Sequence, residues 1–175
     1  MSDLRVAKVS FREATLADCP AVARVHVLSW RGSFAGIVPQ AFLDQMSVEK
    51  RAKAFEQGFS AASYKMYVAE APERGIIGFA DFGEPREKIA AYEGELYAIY
   101  LLPEFQRRGI GESLFNLGVK FFISGGKSSM YLLTLEASPH RSFYEKMGGQ
   151  VIGRKQVEIG GAVFQELVYG WRSLD

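Results

Sequence analysis

Gln106-Arg107-Arg108-Gly109-Ile110-Gly111 follows an apolar run, Leu96 to Leu102, and opens a helix-like segment, Glu112 to Ile123. A strand, then a turn bearing glycine and arginine, then a helix N-terminus is the arrangement that holds a pyrophosphate. Backbone N–H groups left free in the first helical turn point at the anion, and the helix dipole favours negative charge there. Glycines let the chain approach the phosphates closely, and Arg107 and Arg108 offer charge-assisted donors. The stretch points to a phosphate-bearing cofactor.

Two better-known phosphate loops do not fit. A dinucleotide fingerprint needs a third glycine where Leu114 stands. Gly126-Lys127-Ser128 imitates the end of a Walker loop, but the residue five before Gly126 is Phe121, and the order is inverted, with helix before and strand after. Gly125-Gly126 reads instead as a helix C-cap, with Lys127 near the negative end of the dipole. A nucleotide triphosphatase and a dehydrogenase are both disfavoured.

Three stretches together resemble the GNAT superfamily of N-acetyltransferases. Gln106 to Gly111 matches its acetyl-CoA loop, Gln/Arg-x-x-Gly-x-Gly/Ala. Glu95-Leu96-Tyr97-Ala98-Ile99-Tyr100-Leu101-Leu102-Pro103-Glu104 looks like the preceding strand of one bacterial small-molecule and polyamine branch. Ser138-Pro139-His140-Arg141-Ser142-Phe143-Tyr144-Glu145-Lys146-Met147-Gly148-Gly149 looks like that branch's second cofactor-side motif. The resemblance covers nearly the whole chain and implies an α+β domain. Its sheet is mixed and mostly antiparallel, with about seven strands, the fourth and fifth splayed, and about four flanking helices.

Composition agrees with one domain over residues 1–175, long enough to bury most of its unfolded surface without staples. A net charge of +1 argues against a general nucleic-acid or membrane-surface binder. The single cysteine, Cys19, excludes an intrachain disulfide and fits a reducing compartment. It reads as a small hydrophobe at a helix start rather than a nucleophile. No apolar signal-peptide core and no run of transmembrane length is visible, so the cytoplasm is expected. His26 and His140 are too few and too separated for a metal site, and no metal is expected. His26 reads as a helix residue and His140 as solvent-facing.

Hydrophobic periodicity predicts strands at Ala7 to Ala14, Met66 to Ala71, Ile76 to Phe82, Glu95 to Leu102 and Ser129 to Leu135. Gln150 to Ile159 and Ala162 to Trp171 flank Gly160-Gly161, a strong hairpin signal. Asp18 is a plausible N-cap before a helix carrying Ala21, Val25 and Leu28, and Ser47 caps a second helix running to Gln57. Trp30 to Pro39 reads as a loop, and Glu84 to Ala91 as a polar, mobile connection. Ser138-Pro139 starts a last helix that Gly148-Gly149 stops. The final hairpin is apolar on one side through Val163, Leu167, Tyr169 and Trp171. That side either covers the sheet's own core or meets a partner, and a homodimer is the modest expectation.

Acetyl transfer needs an amine stripped of its proton and a thiolate given one. An aliphatic ammonium titrates near ~10.4, so a general base helps by about 10²–10⁴-fold. The resemblance implies Glu95, at the start of the strand, as base, with waters as the alternative. A purely structural Glu95 remains open, and Glu93 is a weaker substitute. The resemblance implies Tyr144 as the acid that protonates the thiolate; a phenol near ~10 keeps its proton at neutral pH. For the cofactor it implies backbone contacts along Ile99, Tyr100 and Leu101, adding the pantetheine arm as an extra strand. It also implies amides from Arg107 through Arg108, Gly109, Ile110, Gly111 and Glu112 to Ser113 around the pyrophosphate. Phe143 lines the arm, and Gln106 either reads backbone or faces solvent. Ser138 stands where the branch usually has Asn, so looser contact with the arm is expected there. On the acceptor side Trp30, Phe34 and Tyr97 are the candidates, with Trp30 alternatively core.

These readings imply acetyl-CoA-dependent acetylation of a primary amine on a small molecule, a polyamine being one acceptor. Glu70, Glu84, Glu93 and Glu95 form an acidic set able to attract cations. A protein N-terminus or lysine stays open as acceptor, as does a non-catalytic acyl-CoA sensor.

Overall fold

The computed structural model describes residues 8–175; Ala7, placed in the first predicted strand, lies outside them. The strands are β1 (Ser10–Glu13), β2 (Lys65–Ala71), β3 (Gly75–Gly83), β4 (Gly94–Leu101), β5 (Met130–Leu135), β6 (Gln150–Ile159) and β7 (Ala162–Trp171). They form one sheet in the order β1-β2-β3-β4-β5-β7-β6. Every neighbouring pair is antiparallel except β4 and β5, which run parallel. The helices are α1 (Cys19–Ser33), α2 (Gln40–Gln45), α3 (Val48–Gly58), α4 (Ile110–Ser124) and α5 (Arg141–Lys146). The described residues thus hold five helices rather than about four, because α2 interrupts the stretch after Trp30 to Pro39. The helix before it also runs on to Ser33 instead of yielding to a loop at Trp30.

Both faces of the sheet are covered. On one, α1 lays Cys19, Val22, Ala23 and Val25 onto Met66, Val68 and Phe79, joined by Ala52 and Phe55 of α3. Cys19 is fully buried, the hydrophobe expected. On the other, α4 presents Ile110, Leu114, Phe115 and Phe122 to Ala80, Phe82, Leu132 and Tyr169. Leu167, Tyr169 and Trp171 belong to this second core. The apolar side of the final hairpin is therefore largely covered within the chain, and Val163 alone of the four stays well exposed. Gly160 and Gly161, at φ 60° and 82°, close that hairpin as a turn requiring left-handed residues.

Helix entry differs from the prediction at one point. A 3-10 turn, Leu16–Asp18, precedes α1. Asp18 holds the N-cap position of α1, but its side chain makes no capping hydrogen bond; its carboxylate accepts from the Thr15 N–H at 2.8 Å and is gripped by Arg12. That pairing holds Asp18 well below the usual carboxylate range, at about 2. Ser47 does cap α3, accepting from the Lys50 N–H at 3.2 Å.

The strand pairing fails in one place. β4 meets β5 only through Gly94↔Met130 and Glu95↔Tyr131, after which the two strands part. On the other side of β4, Phe82 pairs with Leu96 and Asp81 with Ala98, leaving Tyr97 as an extra residue. That is a β-bulge, which bends and twists its strand locally. The bulge begins one residue beyond the last β5 pair, so it steers β4 away from β5.

Close approach of α4 to the sheet depends on Gly118. A Cβ there would lie 2.0 Å from two ring carbons of Phe82, itself fully buried. Helix propensity favours alanine by about 1 kcal/mol, but forcing a buried ring aside costs typically about 1–3 kcal/mol. Gly118→Ala is expected to lower stability by up to about 2 kcal/mol net, read from the urea midpoint.

His26 makes a second prediction. Its ring is buried among Trp30, Phe55, Phe79 and Tyr100 with Nδ1 unpartnered. Burial, helped by the nearby Arg51 charge, lowers it from 6.5 to about 3. The unfolded chain takes up a proton near pH 6.5 that the folded chain refuses, so stability falls as pH drops from there toward 4. The expected slope is about 1.4 kcal/mol per pH unit from this group. Melting temperature against pH should show that slope in the wild type and lose it in His26→Phe.

Candidate active site

The turn after β4 begins with Gln106, whose Nε2 donates to the Leu101 carbonyl at 3.2 Å, so Gln106 reads backbone. Arg107 then takes φ 62° and Gly109 φ 78°. Left-handed backbone is unremarkable for Gly109 but strained for Arg107, and such strain collects at ligand clamps. Alternating backbone of this kind aims successive N–H groups into one concavity. Helix α4 starts at Ile110, and its first intrahelical bond is Ser113 N–H to the Gly109 carbonyl at 3.0 Å. The Ser113 amide and hydroxyl are both engaged with that carbonyl, so free donors run from Arg107 to Glu112, not to Ser113. Ile110 offers backbone alone because its side chain is core. Arg108 turns away, its guanidinium 5.7 Å from the centre of the Phe105 ring.

Below this cradle a cavity of about 550 Å³ follows the gap between β4 and β5. Ile99, Tyr100, Leu101, Gln106, Arg107, Gly109, Gly111, Glu112, Ser138, Phe143 and Tyr144 all line it, bringing together most of the predicted cofactor residues. Ile99 and Leu101 turn their main chain to the gap, since Leu102 N–H bonds back to β3. The Leu101 carbonyl is occupied by Ser29 Oγ at 3.0 Å as well as by Gln106. Ser138 Oγ accepts from the His140 N–H at 3.3 Å.

A smaller cavity of about 80 Å³ continues through the gap to the opposite face of the sheet. Its walls include Trp30, Phe34, Tyr97, Thr134, Tyr144 and Glu166. Tyr144 thus sits where the two spaces meet. Its ring packs beside Phe143 and Tyr169, and burial raises its phenol above the ordinary value. Among the described residues its hydroxyl has no protein hydrogen-bond partner, whereas the Tyr169 hydroxyl donates to Glu145 at 2.8 Å. Trp30 packs against Phe34 with the rings tilted by 40° and donates from Nε1 to the Tyr100 hydroxyl at 2.9 Å. It is therefore both a packing residue and a wall.

Glu95 lines neither cavity. It is 0% exposed, and Arg86 grips Oε1 from Nε at 3.0 Å and Nη2 at 2.6 Å. The Arg86 N–H donates to Oε2 at 2.8 Å, and the Tyr131 hydroxyl lies 3.0 Å from the same oxygen. The four contacts make Glu95 the anchor of residues 84–91, which are clasped rather than loosely solvated. Lys155 reinforces the clasp by pairing with Glu87. The other acidic residues of the expected set are engaged too: Glu70 with Arg12, Glu84 with Lys127, and Glu93 with Ser128.

A family model described as the acetyltransferase (GNAT) family matches residues 28–149. The chain belongs to the GNAT acetyltransferase family. An uncharacterised N-acetyltransferase of Bacillus subtilis is 37% identical over 95% of this chain and 94% of its own length. A spermidine N1-acetyltransferase of Thermoplasma acidophilum is 25% identical over 82% of this chain and 89% of its own. The crystal structure of the PaiA N-acetyltransferase of Thermoplasma acidophilum, in complex with coenzyme A, superposes with a TM-score of 0.68. It is 24% identical and covers 91% of this chain and 98% of its own. The seven-strand sheet with parted β4 and β5 is the GNAT fold.

Within this acetyltransferase, sequence reasoning missed two residues. His140 is not solvent-facing: its Nε2 lies 2.8 Å from Ser33 Oγ, and both line the larger cavity. Burial lowers its pKa, with Arg107 adding to the effect, so the ring is neutral at pH 7. The contact ties the end of α1 to the start of α5, and no local pattern announces it. Glu166 is the other, a carboxylate facing the smaller cavity from β7. Among the described residues no group of three or more His, Cys, Asp or Glu is placed to hold a metal. Nor is any helix among them long and apolar enough to cross a membrane.

Removing the Glu95 carboxylate should loosen the clasp. A fully buried pair broken on one side costs about 3–5 kcal/mol. Arg86 is 57% exposed and can turn to water, so Glu95→Ala is expected to cost nearer 2 kcal/mol. Limited trypsin digestion should then cut at Arg86 or Lys88 at least tenfold faster than in the wild type.

Proposed function

We propose that this acetyltransferase moves the acetyl group of acetyl-CoA to a primary amine of a small molecule by direct attack, with Tyr144 as general acid. The observation that carries the reading is the Tyr144 hydroxyl, unpartnered among the described residues at the junction of a long cofactor-sized cavity and a small aromatic one. The pyrophosphate rests on the amides from Arg107 to Glu112, with Arg107 adding charge. The pantetheine arm lies along the open edge of β4, meeting the Ile99 peptide and the Leu101 N–H, with Phe143 against it. Burial keeps the Tyr144 phenol protonated through neutral pH, so it donates to the departing thiolate. Glu95 does not reach the reacting atoms from its place beneath Arg86, so the ammonium proton leaves by another route.

A small-molecule acceptor is favoured by the size of the second cavity, about 80 Å³, which admits the end of an alkylamine. The amine substrate named for the Thermoplasma acidophilum relative supports the same class.

The test is thiol release from acetyl-CoA in the presence of a panel of primary amines. Wild-type protein should turn over at least one of them. Tyr144→Phe should lower kcat by about 10²-fold while the Kd for coenzyme A, measured by calorimetry, stays within about twofold. Tight cofactor binding with no turnover of any amine would make the protein a sensor instead.

A further inference from the structure

Strand β7 alternates between two environments. Leu167, Tyr169 and Trp171 enter the core under α4, so Glu166 projects from the opposite face. There it neighbours Leu135 of β5 and Lys155 of β6 in the register of the sheet. Leu135 packs with Phe34, which places this face beside the acceptor cavity. The Glu166 side chain is 17% exposed, and its nearest cation, Lys155 Nζ, stands at 3.7 Å and is shared with Glu87. This is the opposite of Glu95, which is saturated by four donors. Among the described acidic residues, Glu166 alone lines the small cavity together with Tyr144.

We propose that Glu166 is a catalytic residue that receives the acceptor's ammonium in the small cavity and takes its proton, opposite Tyr144 across the gap between β4 and β5. The proposal rests on the acetyltransferase reading above and deepens it. The aromatic walls Trp30 and Phe34 suit a cation, because ring faces are negative, whereas the Tyr97 ring already carries the Arg86 guanidinium 4.6 Å from its centre. The step balances as follows. The ammonium loses one proton to the Glu166 carboxylate, and the freed nitrogen forms a bond to the thioester carbon. The carbon–sulfur bond then breaks, and the thiolate takes the Tyr144 proton. The second nitrogen proton restores Tyr144, and Glu166 returns its own to solvent, so one proton is released per turnover. The acceptor class is therefore a primary alkylamine that arrives as a cation.

The geometry is supported by the electrostatics. Burial raises Glu166 above the usual carboxylate range, aided by Glu87, while Lys155 and Arg86 pull it down. The titratable groups around it are Lys155 on β6 and Arg86 and Glu87 on the β3–β4 connection, with Tyr97 on β4 and Tyr144 on α5 lining the same cavity. A carboxylate so placed is a better proton acceptor than an exposed one.

The experiment measures kcat/KM against pH with acetyl-CoA and three probes: 1,4-diaminobutane, n-butylamine and benzylamine. Glu166→Gln, which keeps the side-chain shape, should lower kcat by about 10²-fold and abolish the acid limb of the profile. Its Kd for coenzyme A and its melting temperature should match the wild type. Lys155→Met removes the cation that lowers Glu166, so its acid limb should move to higher pH. A residue that merely pairs with Lys155 for stability would shift neither limb. Wild-type turnover with an unchanged profile in Glu166→Gln overturns this proposal alone. Failure of the wild type to bind or acetylate any of the three amines overturns it together with the small-amine reading.

Discussion

The parting of β4 from β5 is the constraint on which the rest of the molecule depends. Two residue pairs join these strands, and the bulge at Tyr97 then bends β4 aside. A sheet interrupted in this way leaves a row of unpaired main-chain groups that would otherwise be costly in a protein interior. The opening is tolerated because it is built to be filled: it runs from the amide cradle at the start of α4 to the aromatic chamber beside α1. Both cavities are consequences of the same local defect, and Tyr144 occupies the point where they communicate.

Holding such a gap open requires bracing from outside the sheet. The Glu95–Arg86–Tyr131 cluster closes the paired end of the two strands and fixes the β3–β4 connection across them. At the other end, Ser29 and Gln106 hold the Leu101 carbonyl, and Ser33 meets His140 across the larger cavity. Between these braces, Gly118 lets α4 sit close enough to Phe82 for its N-terminus to reach the gap. Packing and site geometry are therefore one problem in this protein. The residues that touch no ligand decide where the ligand-facing ones stand.

Much of this was legible in the residues. Hairpin strands Gln150–Ile159 and Ala162–Trp171 follow from alternation around Gly160-Gly161, a local signal with a local cause. Arg107 to Ser113 could be read as a phosphate-binding stretch because helix N-termini and glycines act over a few residues, and only folding shows that the Ser113 amide is already engaged with the Gly109 carbonyl. Tyr144 and Phe143 came with the motif around them. Glu95 was harder. Simple alternation from Glu95 would place Ile99 and Leu101 on its face, yet those two pack on the α4 side with Leu96, while Ala98 and Tyr100 pack toward α1. The extra residue at Tyr97 reverses the count, and nothing in the surrounding sequence marks it.

The amino-acid sequence by itself determined the order of the strands, the family and the glycine- and arginine-bearing turn before α4, because each is written in periodicities and spacings shorter than one helix or hairpin. Tertiary structure decided which carboxylate is tied down and which is left facing the gap. Glu95 is paired with Arg86 nine residues away and hydrogen-bonded by Tyr131 thirty-six residues away. Glu166 reaches the cavity that Tyr144 and Trp30 also line through the order of the strands and the packing of α1 and α5 against them. A carboxylate's chemistry depends on the charges and solvent around it, and those neighbours are supplied by folding, not by proximity along the chain.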